Sequence, residues 1–262
     1  MTGINYREVL SGHNPEKSLL MGRKRMVGRN SDGRITTRHK GAGAKRLFRI
    51  VDFRFDKKDV PGKVVSVEYD PNRTGFIGLV LYQDGEKRYM LLPREVKPGQ
   101  SVITSASAPI LPGNRLPLLH IPVGTLIYNI ALEPEGKAVL VRAAGSFAEV
   151  LAHDAGYTML KMPSSEVRKV IDRGWASVGQ VSNDEHNLVV IGKAGRSRWM
   201  GIRPTVRGSA MNPVDHPYGG GEGRQMRGTR RPKNLWGKGT RGVKTRNKKK
   251  WSSSLIVSRR KK

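Results

Sequence analysis

Alternating apolar and polar residues recur through the middle of this chain, and each alternation predicts a short strand. The first runs over residues 48–55, with a change of phase at residues 51–52 that indicates a β-bulge. Apolar side chains at Val65, Val67 and Tyr69 then predict a strand with one face turned toward a core.

A β-hairpin is predicted after these strands. Residues 76–82 and 88–92 are apolar runs on either side of residues 83–87, whose Asp-Gly pair is typical of a tight turn. A further short strand is predicted at residues 101–105. About five strands in roughly seventy residues match the size of a small closed barrel such as an OB-fold.

A second block of short strands begins near Ile121, after a connection that is rich in proline and glycine. Its candidate strands are residues 126–131, 138–142, 148–152, 157–161, 167–171 and 187–191. Short strands with frequent turns predict a second small barrel. Amphipathic helices are not predicted, because proline and glycine interrupt nearly every candidate window. The predicted fold class is therefore mainly β, with two consecutive barrels.

Charge divides the chain into a nearly neutral body and two basic arms. Residues 1–46 hold eleven Lys or Arg and three acids, whereas residues 47–195 hold eighteen and sixteen, and residues 196–262 hold twenty and two. A neutral middle fits a self-sufficient core, and basic arms fit a polyanionic partner. The predicted segments are a basic N-terminal arm (1–46), an OB-fold-like barrel (47–118), a second barrel (119–195) and an extended basic tail (196–262).

The basic tail indicates the class of partner. Its last forty residues contain sixteen Lys or Arg and no acid. Such a polycation does not pack against itself, because its charges repel and it has too few apolar residues to offset the entropy of ordering. A nucleic acid supplies the missing negative charge, so we expect the arms to order on it. A solvated surface normally mixes signs, and a nuclear-localisation or heparin patch spans only ~5–8 residues.

Several classes of protein are disfavoured. The chain has no cysteine, which excludes disulfides, cysteine-ligated zinc and thiol catalysis. Its six histidines lack a metal-like spacing, so no metal and no cofactor are predicted. No apolar run approaches the ~20 residues of a membrane helix. The first residues lack the apolar core of a signal peptide and show no obvious transit peptide, so we expect a soluble, unprocessed chain.

Cations and tryptophan alternate at the start of the tail, around Trp199. Guanidinium and indole planes stack on unpaired bases, and glycine lets the backbone approach them closely. The alternative is a linker that Trp199 anchors in a core. Trp236 and Trp251 repeat the mixture where little apolar sequence surrounds them. The candidate RNA-binding residues of the tail are Arg196, Arg198, Trp199, Arg203, Arg207, Arg224, Arg230, Arg231, Lys233, Lys238 and Arg241.

A glycine-rich loop occupies residues 211–224. Gly219, Gly220 and Gly221 place little steric demand on the backbone, which can lie against a phosphate or a ligand with its N–H groups exposed. Proline follows Asn212 and His216 and fixes a tight turn on either side. No Gly-Lys-Ser/Thr follows the glycines, so the loop is not a phosphate-binding loop of the nucleotide-hydrolase type.

A catalytic interpretation of the same loop is the main enzymatic alternative. Asp215 and His216 are adjacent, and Ser209 lies close in sequence. Sequence neighbours in a loop do not make a triad, because the members must converge in space beside an oxyanion hole. The sequence supplies no further members for such a site, so an independent enzyme is not predicted.

Two arginines in the body are candidate phosphate ligands. Arg73 follows a strand and a Pro-Asn turn, a place where an OB-type barrel holds nucleic acid at its rim. The alternative is a surface arginine paired with Asp70. Arg142 stands between apolar neighbours, where it either alternates outward from a strand or points at a bound phosphate.

Residues 212–224 resemble the signature of the uL2 family of ribosomal proteins, the bacterial-type large-subunit L2 proteins. The resemblance continues through the chain from about Arg29. Further segments resemble family blocks in the same order, at residues 33–39, 48–53, 68–73, 78–82, 84–89, 121–124, 192–195 and 203–208. The chain departs from the family at Tyr218, where a second histidine is usual.

The resemblance implies an OB-fold barrel, then an SH3-like barrel, then a tail threaded into large-subunit rRNA near the peptidyl-transferase region. Arg73 and Arg142 fall where the family carries arginines important for rRNA binding. His216 matches a histidine associated with supporting peptidyl transfer, and we group Gly219, Gly220 and Gly221 with it. The resemblance makes His216 a supporting residue and not a catalyst.

The resemblance also implies a structural constituent of the large ribosomal subunit, binding 23S-type rRNA and supporting subunit association, tRNA binding and the peptidyl-transferase region. The implied partners are other ribosomal proteins, the small subunit through an intersubunit bridge, and nearby tRNA, without a membrane. Magnesium associated with the rRNA is the one ion left open. A cytoplasmic ribosome is favoured over an organellar one. The alternatives are a general single-strand-binding or nucleoid protein and a hydrolase or phosphotransferase at Asp215 and His216.

The charge distribution predicts a strong dependence of binding on salt. If binding is largely phosphate neutralisation through about ten contacts, a roughly fourfold rise in salt should weaken binding to isolated RNA by about 10⁴-fold or more. The measurement is a titration of RNA with the full chain at a series of salt concentrations. An affinity that does not change with salt would contradict this mechanism.

Overall fold

Short strands and turns account for most of the chain's regular structure. The structure is a computed structural model that describes residues 5–224, 227–247 and 249–260. The strands are β1 (Leu20–Met21), β2 (Phe48–Arg49), β3 (Gly62–Glu68), β4 (Ile77–Tyr82), β5 (Lys87–Leu91), β6 (Ser101–Val102), β7 (Arg115–Pro117), β8 (Leu126–Tyr128), β9 (Ile130–Ala131), β10 (Ala138–Leu140), β11 (Ala148–Asp154), β12 (Tyr157–Lys161), β13 (Val167–Ile171), β14 (Trp175–Val178) and β15 (Ile256–Ser258).

Helical structure is confined to single turns and one short helix within the described residues. The α-helix α1 spans Ala194–Trp199. The 3₁₀ helices are Tyr6–Glu8, Lys17–Leu19, Leu118–His120, Asp184–Leu188, Gly208–Ala210 and Trp251–Ser253. None of these helices has the length and apolar character to cross a membrane. The mainly β fold class predicted from the sequence is confirmed, and the sheets are consistent with an OB-fold barrel followed by an SH3-like barrel.

The first sheet has four antiparallel strands in the order β5-β4-β3-β6. The predicted hairpin between β4 and β5 is present. Tyr82 donates its N–H to the carbonyl of Glu86 at 2.9 Å, and Gly85 returns an N–H to the carbonyl of Tyr82 at 2.9 Å. Gly85 has φ +85°, which explains why glycine stands at this turn.

The predicted phase of β3 is wrong. Val64 and Val67 are buried, whereas Val65 and Tyr69 are exposed. The register with β4 shifts between Val64 and Ser66, so Val65 is the extra residue of a β-bulge. A bulge changes which side of the strand faces the core, and a simple two-residue period therefore assigns the wrong valine to the interior.

The bulge predicted at residues 51–52 is a turn instead. Strand β2 ends at Arg49, and Val51 makes only an isolated bridge to Tyr89. The Oδ1 atom of Asp52 accepts the N–H groups of Arg54 at 2.8 Å and Phe55 at 3.0 Å. This side-chain bonding stabilises a local turn and ends the alternation.

The second sheet has seven antiparallel strands in the order β15-β13-β12-β11-β8-β14-β7. The strand predicted at residues 187–191 is wrong, because residues Asp184–Leu188 form a 3₁₀ helix. Asn183 precedes it at φ +62°, and Asp184 and Glu185 lie in its first turn, where acids favour a helix start. Strand β14 was not predicted. It lies between two strands and is buried at three of its four residues, so it shows no alternation.

The chain divides into two compact units. The first unit comprises Met1–Lys24, Arg46–Val190 and Ser252–Lys262, and the second comprises Arg25–Lys45 and Ile191–Trp251. In sequence, each of the two stretches of the second unit is therefore preceded and followed by residues of the first unit. The division into four sequence segments stays a prediction.

The two largest clusters of buried apolar side chains form most of the core of the first unit. The cluster at the four-stranded sheet is Phe55, Val64, Val67, Phe76, Val80, Tyr82, Met90, Leu92, Val96, Val102 and Ala138. The cluster at the seven-stranded sheet is Ala108, Leu116, Leu118, Ile121, Ile127, Ile130, Ala148, Val150, Leu160, Val170, Ala176 and Val178. Tyr128 links the two sheets by donating its hydroxyl to the carbonyl of Leu91 at 3.2 Å.

Residues before Arg25 pack on the four-stranded sheet, and residues after Trp251 extend the seven-stranded sheet. Glu16 donates its N–H to the hydroxyl of Tyr89 at 2.9 Å, and β1 pairs with β2. Strand β15 pairs with the outer edge of β13, and Lys169 donates its N–H to the carbonyl of Leu255 at 2.8 Å. Both ends of the described chain are therefore fixed to the first unit.

The pairing of β15 can be tested with two neighbouring substitutions. We expect Ile256→Asp to detach β15, because Ile256 is half-buried and its loss removes about 1 kcal/mol of apolar burial, whereas Val257 is exposed. Amide exchange at Lys169 should then quicken by roughly fivefold. Val257→Asp is the matched control and should leave that exchange rate unchanged. Equal protection of Lys169 in the two variants would contradict the role of β15.

Candidate nucleic-acid interface

Arg73 and Arg142 converge on one aromatic ring. The guanidinium carbon of Arg73 lies 5.3 Å from the centroid of the Phe53 ring, and that of Arg142 lies 4.8 Å from it. The two guanidinium carbons are thus no more than about 10 Å apart. The face of an aromatic ring attracts cations, so Phe53 partly offsets the repulsion between the two arginines.

Phe53 is held in place by a backbone hydrogen bond and by apolar packing of its ring. Its carbonyl accepts the N–H of Ala138 at 2.7 Å, which ties the segment between β2 and β3 to the start of β10. Its ring is half-buried against a small apolar cluster of Leu91, Tyr128 and Val181. A ring held in this way is a rigid platform for the two guanidinium groups.

Arg73 is oriented by a buried carboxylate. Asp70 is fully buried and accepts the Nε–H of Arg73 at 2.6 Å. The other carboxylate oxygen of Asp70 accepts the backbone N–H of Asn72 at 2.9 Å, which shapes the turn. The alternative that pairs Arg73 with Asp70 is therefore present in the structure. This pairing uses Nε, and neither terminal nitrogen of Arg73 bonds another described residue.

Arg142 is exposed just beyond the end of β10. The preceding residue, Val141, has φ +56°, which is costly for a β-branched residue. Its carbonyl accepts the N–H of Asn129 at 3.0 Å. The register of β9 and β10 also shifts between Ala138 and Leu140. These irregularities end the strand and direct the next residues out of the sheet.

Hydrogen bonds join the two loops that carry the arginines. The hydroxyl of Thr74 accepts the N–H of Ala144 at 3.0 Å. The carbonyl of Thr74 accepts the side-chain N–H of Asn183 at 2.6 Å. Arg73 and Arg142 are therefore adjacent to residues whose backbones are tied together, and their spacing is set by the fold.

Arg115 is a further cation that sequence analysis missed. Its side chain is only 1% exposed and its guanidinium donates to the carbonyls of Asn129 at 2.6 Å and Trp175 at 3.2 Å. Burial lowers the pKa of Arg115 to about 9. No carboxylate of a described residue pairs with it, and its charge borders a cleft of about 410 Å³. No sequence pattern singled out Arg115, because proline and glycine around it indicated a connection.

The second unit brings the two basic stretches together. Gly41 donates its N–H to the carbonyl of Gly201, and Ala44 donates to the carbonyl of Trp199, each at 2.8 Å. Gly43 has φ +66°, and a Cβ there would lie 2.5 Å from the Trp199 carbonyl oxygen. Glycine is therefore required for this close approach. Neither charge nor periodicity indicated that the two stretches pair.

The predicted cations of the tail lie on the surface. Helix α1 lies at the start of the tail. Trp199, its last residue, is 60% exposed, so this tryptophan is not a core anchor. The ammonium of Lys193 lies 5.5 Å from the Trp199 ring centroid. The exposed predicted cations are Arg196, Arg198, Arg203, Arg207, Arg224, Arg230, Arg231, Lys233, Lys238 and Arg241.

His216 is half-buried in the glycine-rich loop. Its Nδ1 accepts the backbone N–H of Tyr218 at 3.1 Å, and the two rings have centroids 4.7 Å apart at an interplanar angle of 49°. A Cβ at Gly208 would lie 2.5 Å from the imidazole, so glycine makes room for the ring. The hydroxyl of Tyr218 accepts the backbone N–H of Lys233, which lowers the pKa of Tyr218.

Two of the three glycines close the loop on itself. Gly219 donates its N–H to the carbonyl of His216 at 2.8 Å, and Gly220 donates to the carbonyl of Met211 at 3.2 Å. A Cβ at Gly219 would clash with the carbonyl oxygen of Asn212. The N–H groups of Gly219 and Gly220 therefore bond within the loop, although the sequence suggested that they would be exposed to a ligand.

A hydrolytic relay is not formed in the described part of this loop. No hydrogen bond joins the side chains of Asp215, His216 and Ser209 there, and the Nδ1 of His216 is bonded to Tyr218. Among the described residues, no group of three or more His, Asp or Glu side chains is arranged to hold a metal ion. The loop is organised by backbone contacts and ring packing.

Comparison with protein families gives two matches. Residues 16–104 match the model of the RNA-binding N-terminal domain of ribosomal proteins L2. Residues 111–237 match the model of the C-terminal domain of ribosomal proteins L2. The first match contains Phe53 and Arg73, and the second contains Arg142 and His216.

Proposed function

Given that the chain belongs to the ribosomal protein L2 family, we propose that it holds ribosomal RNA through two surfaces, one in each compact unit. Membership in the family makes the chain an RNA-binding structural constituent of the large ribosomal subunit and not an enzyme. We further propose roles for individual residues of these surfaces.

The convergence of Arg73 and Arg142 on Phe53 carries the proposal for the first surface. Two guanidinium groups no more than about 10 Å apart can reach neighbouring phosphates of one RNA strand. Each planar fork donates two parallel hydrogen bonds to a phosphate. Asp70 orients the Arg73 side chain before binding, and the Thr74 contact joins the two loops, so less conformational entropy is lost on binding.

The second surface is the cationic second unit. Its two stretches contain twenty-three Lys or Arg and three acids, and the predicted cations of the longer stretch are exposed. We propose that this unit fills a crevice between RNA segments whose phosphates would otherwise repel one another. The candidate residues from Arg196 to Arg241 supply the charge, and Trp199 supplies a stacking surface.

The glycine-rich loop is proposed to support the peptidyl-transferase region. His216, held by Tyr218 and Gly208, would be a positioning group there, and the chemistry belongs to the rRNA. Gly219, Gly220 and Gly221 allow the tight loop that presents His216. We further propose contacts with tRNA and with the small subunit through an intersubunit bridge, in a cytoplasmic ribosome.

The arginine pair generates a prediction for RNA binding. We expect Arg73→Ala and Arg142→Ala each to weaken binding of in vitro transcribed 23S-type rRNA by about 1–3 kcal/mol, because each removes a charged hydrogen bond. The double variant should lose less than the sum of the two, since the arginines share Phe53 and one stretch of RNA. The measurement is a binding titration at one fixed salt concentration.

Arg173→Ala is the matched control for the arginine pair. Arg173 is an exposed arginine of the same unit, so its loss changes the net charge equally. Wild-type affinity in the Arg73 and Arg142 variants, or an equal loss in the Arg173 variant, would contradict a specific site at Phe53.

His216 generates a separate prediction for translation. We expect His216→Ala to keep both sheets, because His216 contributes to neither core cluster, and to reduce peptidyl transfer by reconstituted large subunits by roughly tenfold to a hundredfold. The control is Val214→Ala in the same loop, since Val214 is 90% exposed. Unchanged peptidyl transfer, or loss of the sheet signal in circular dichroism, would contradict the proposed role.

A further inference from the structure

A tight turn in the second unit holds a tryptophan in solvent. Lys233 and Gly239 form an isolated antiparallel bridge, and Thr240 donates its N–H to the carbonyl of Pro232 at 2.9 Å. Within this bridge, Asn234 donates its N–H to the carbonyl of Lys238 at 2.8 Å. Residues 232–240 therefore form a small closed hairpin.

Asn234 makes the end of this hairpin rigid. Its Oδ1 accepts the backbone N–H of Trp236 at 3.1 Å and of Lys238 at 2.9 Å. Gly237 takes φ +73° and donates its N–H to the carbonyl of Asn234 at 2.9 Å. The backbone on both sides of Trp236 is thus fixed by hydrogen bonds, so the point from which the indole projects is set in advance of any ligand.

The indole at the tip of this hairpin is 69% exposed. An exposed indole is unfavourable in water, and a flexible segment would fold it onto the nearest apolar surface. Here the hairpin keeps it outward, and the guanidinium carbon of Arg38 lies 5.2 Å from its ring centroid. Arg38 belongs to the shorter stretch of the second unit, so the two basic stretches build this feature together.

The surroundings of Trp236 select a planar ligand with negative charge. The exposed cations Arg231, Lys233 and Lys238 belong to the same hairpin region, and residues 223–262 contain no acid. A cationic or neutral aromatic ligand gains nothing from these charges. An unpaired nucleotide offers a flat base for the indole and a phosphate for the cations.

We propose that Trp236 and Arg38 form a stacking site for one unpaired nucleotide of RNA. The inference rests on the proposed function of the chain as an rRNA-binding protein, and it adds a second base contact to the stacking surface proposed at Trp199. The indole and the guanidinium provide stacking planes, and the neighbouring cations hold the backbone of the nucleotide.

A single-tryptophan form of the full chain tests the stacking contact directly. Trp175, Trp199 and Trp251 are replaced by phenylalanine, which leaves Trp236 as the fluorophore. The probes are an unstructured RNA of about ten nucleotides and the same backbone without bases. Quenching that saturates with the complete RNA and is absent with the abasic strand is expected. Equal quenching by the two strands, or none, would overturn the site.

The dependence of binding on salt separates stacking from phosphate contact. Trp236→Ala should weaken binding of the same RNA by roughly tenfold without changing the slope of log affinity against log salt, because no phosphate contact is lost. Trp236→Phe should retain most of the affinity. Arg38→Ala removes the second stacking plane and should also weaken binding, whereas Lys238→Ala should mainly reduce the slope by about 1, the effect of one phosphate contact.

Val243→Ala is the control, since Val243 is an exposed apolar residue of the same cationic stretch, and it should bind RNA as the wild type does. If the wild-type chain binds RNA and Trp236→Ala binds equally well, the stacking site is wrong while the proposed function stands. If the wild-type chain binds no RNA, the proposed function fails and the stacking site fails with it.

Discussion

An excess of positive charge that the chain does not neutralise governs its organisation. The second unit contains twenty-three Lys or Arg and only three acids, so at least twenty cations have no acid of that unit to pair with. Such a unit cannot be held together by ion pairs. It is held by backbone contacts such as those of Gly41 with Gly201 and Ala44 with Trp199, which bring two distant stretches into register. Most cations of the described residues of this unit are exposed, where they are available to a polyanion.

The first unit differs from the second because it has acids that pair with several of its cations. It contains twenty-six Lys or Arg and eighteen acids, and several of its arginines are engaged by carboxylates. Arg88 contacts Asp52 at 2.9 Å and Glu86 at 2.6 Å, and Arg73 contacts Asp70. These pairs orient side chains at the surface of two apolar cores. Charged side chains therefore orient one another in the first unit, whereas in the second unit they remain available to a polyanion.

Sequence patterns predicted the first unit best where local chemistry decides the structure. The hairpin at Gly85 was predicted because an Asp-Gly pair determines its own turn. The phase of β3 was lost because the bulge at Val65 depends on pairing with β4, which no local pattern encodes. Strand β14 was missed because a buried central strand has no polar face.

The candidate site shows the same limit. The turn before Arg73 and the apolar neighbours of Arg142 were enough to select both as candidates, yet their shared platform at Phe53 depends on three segments meeting in space. The glycines of the 219–221 run were selected correctly as a special backbone, but two of them serve to close the loop on itself. These contacts join segments that are remote in sequence. A single sequence does not show which remote segments meet.

The return of the chain to β13 has a consequence for how the molecule is made. Residues 256–258 are synthesised after the whole cationic stretch, so the outer edge of β13 stays unpaired while that stretch emerges. An open strand edge invites pairing with other chains. During translation the nascent protein thus passes through an interval in which its polycation is already exposed and its last sheet edge is not yet covered.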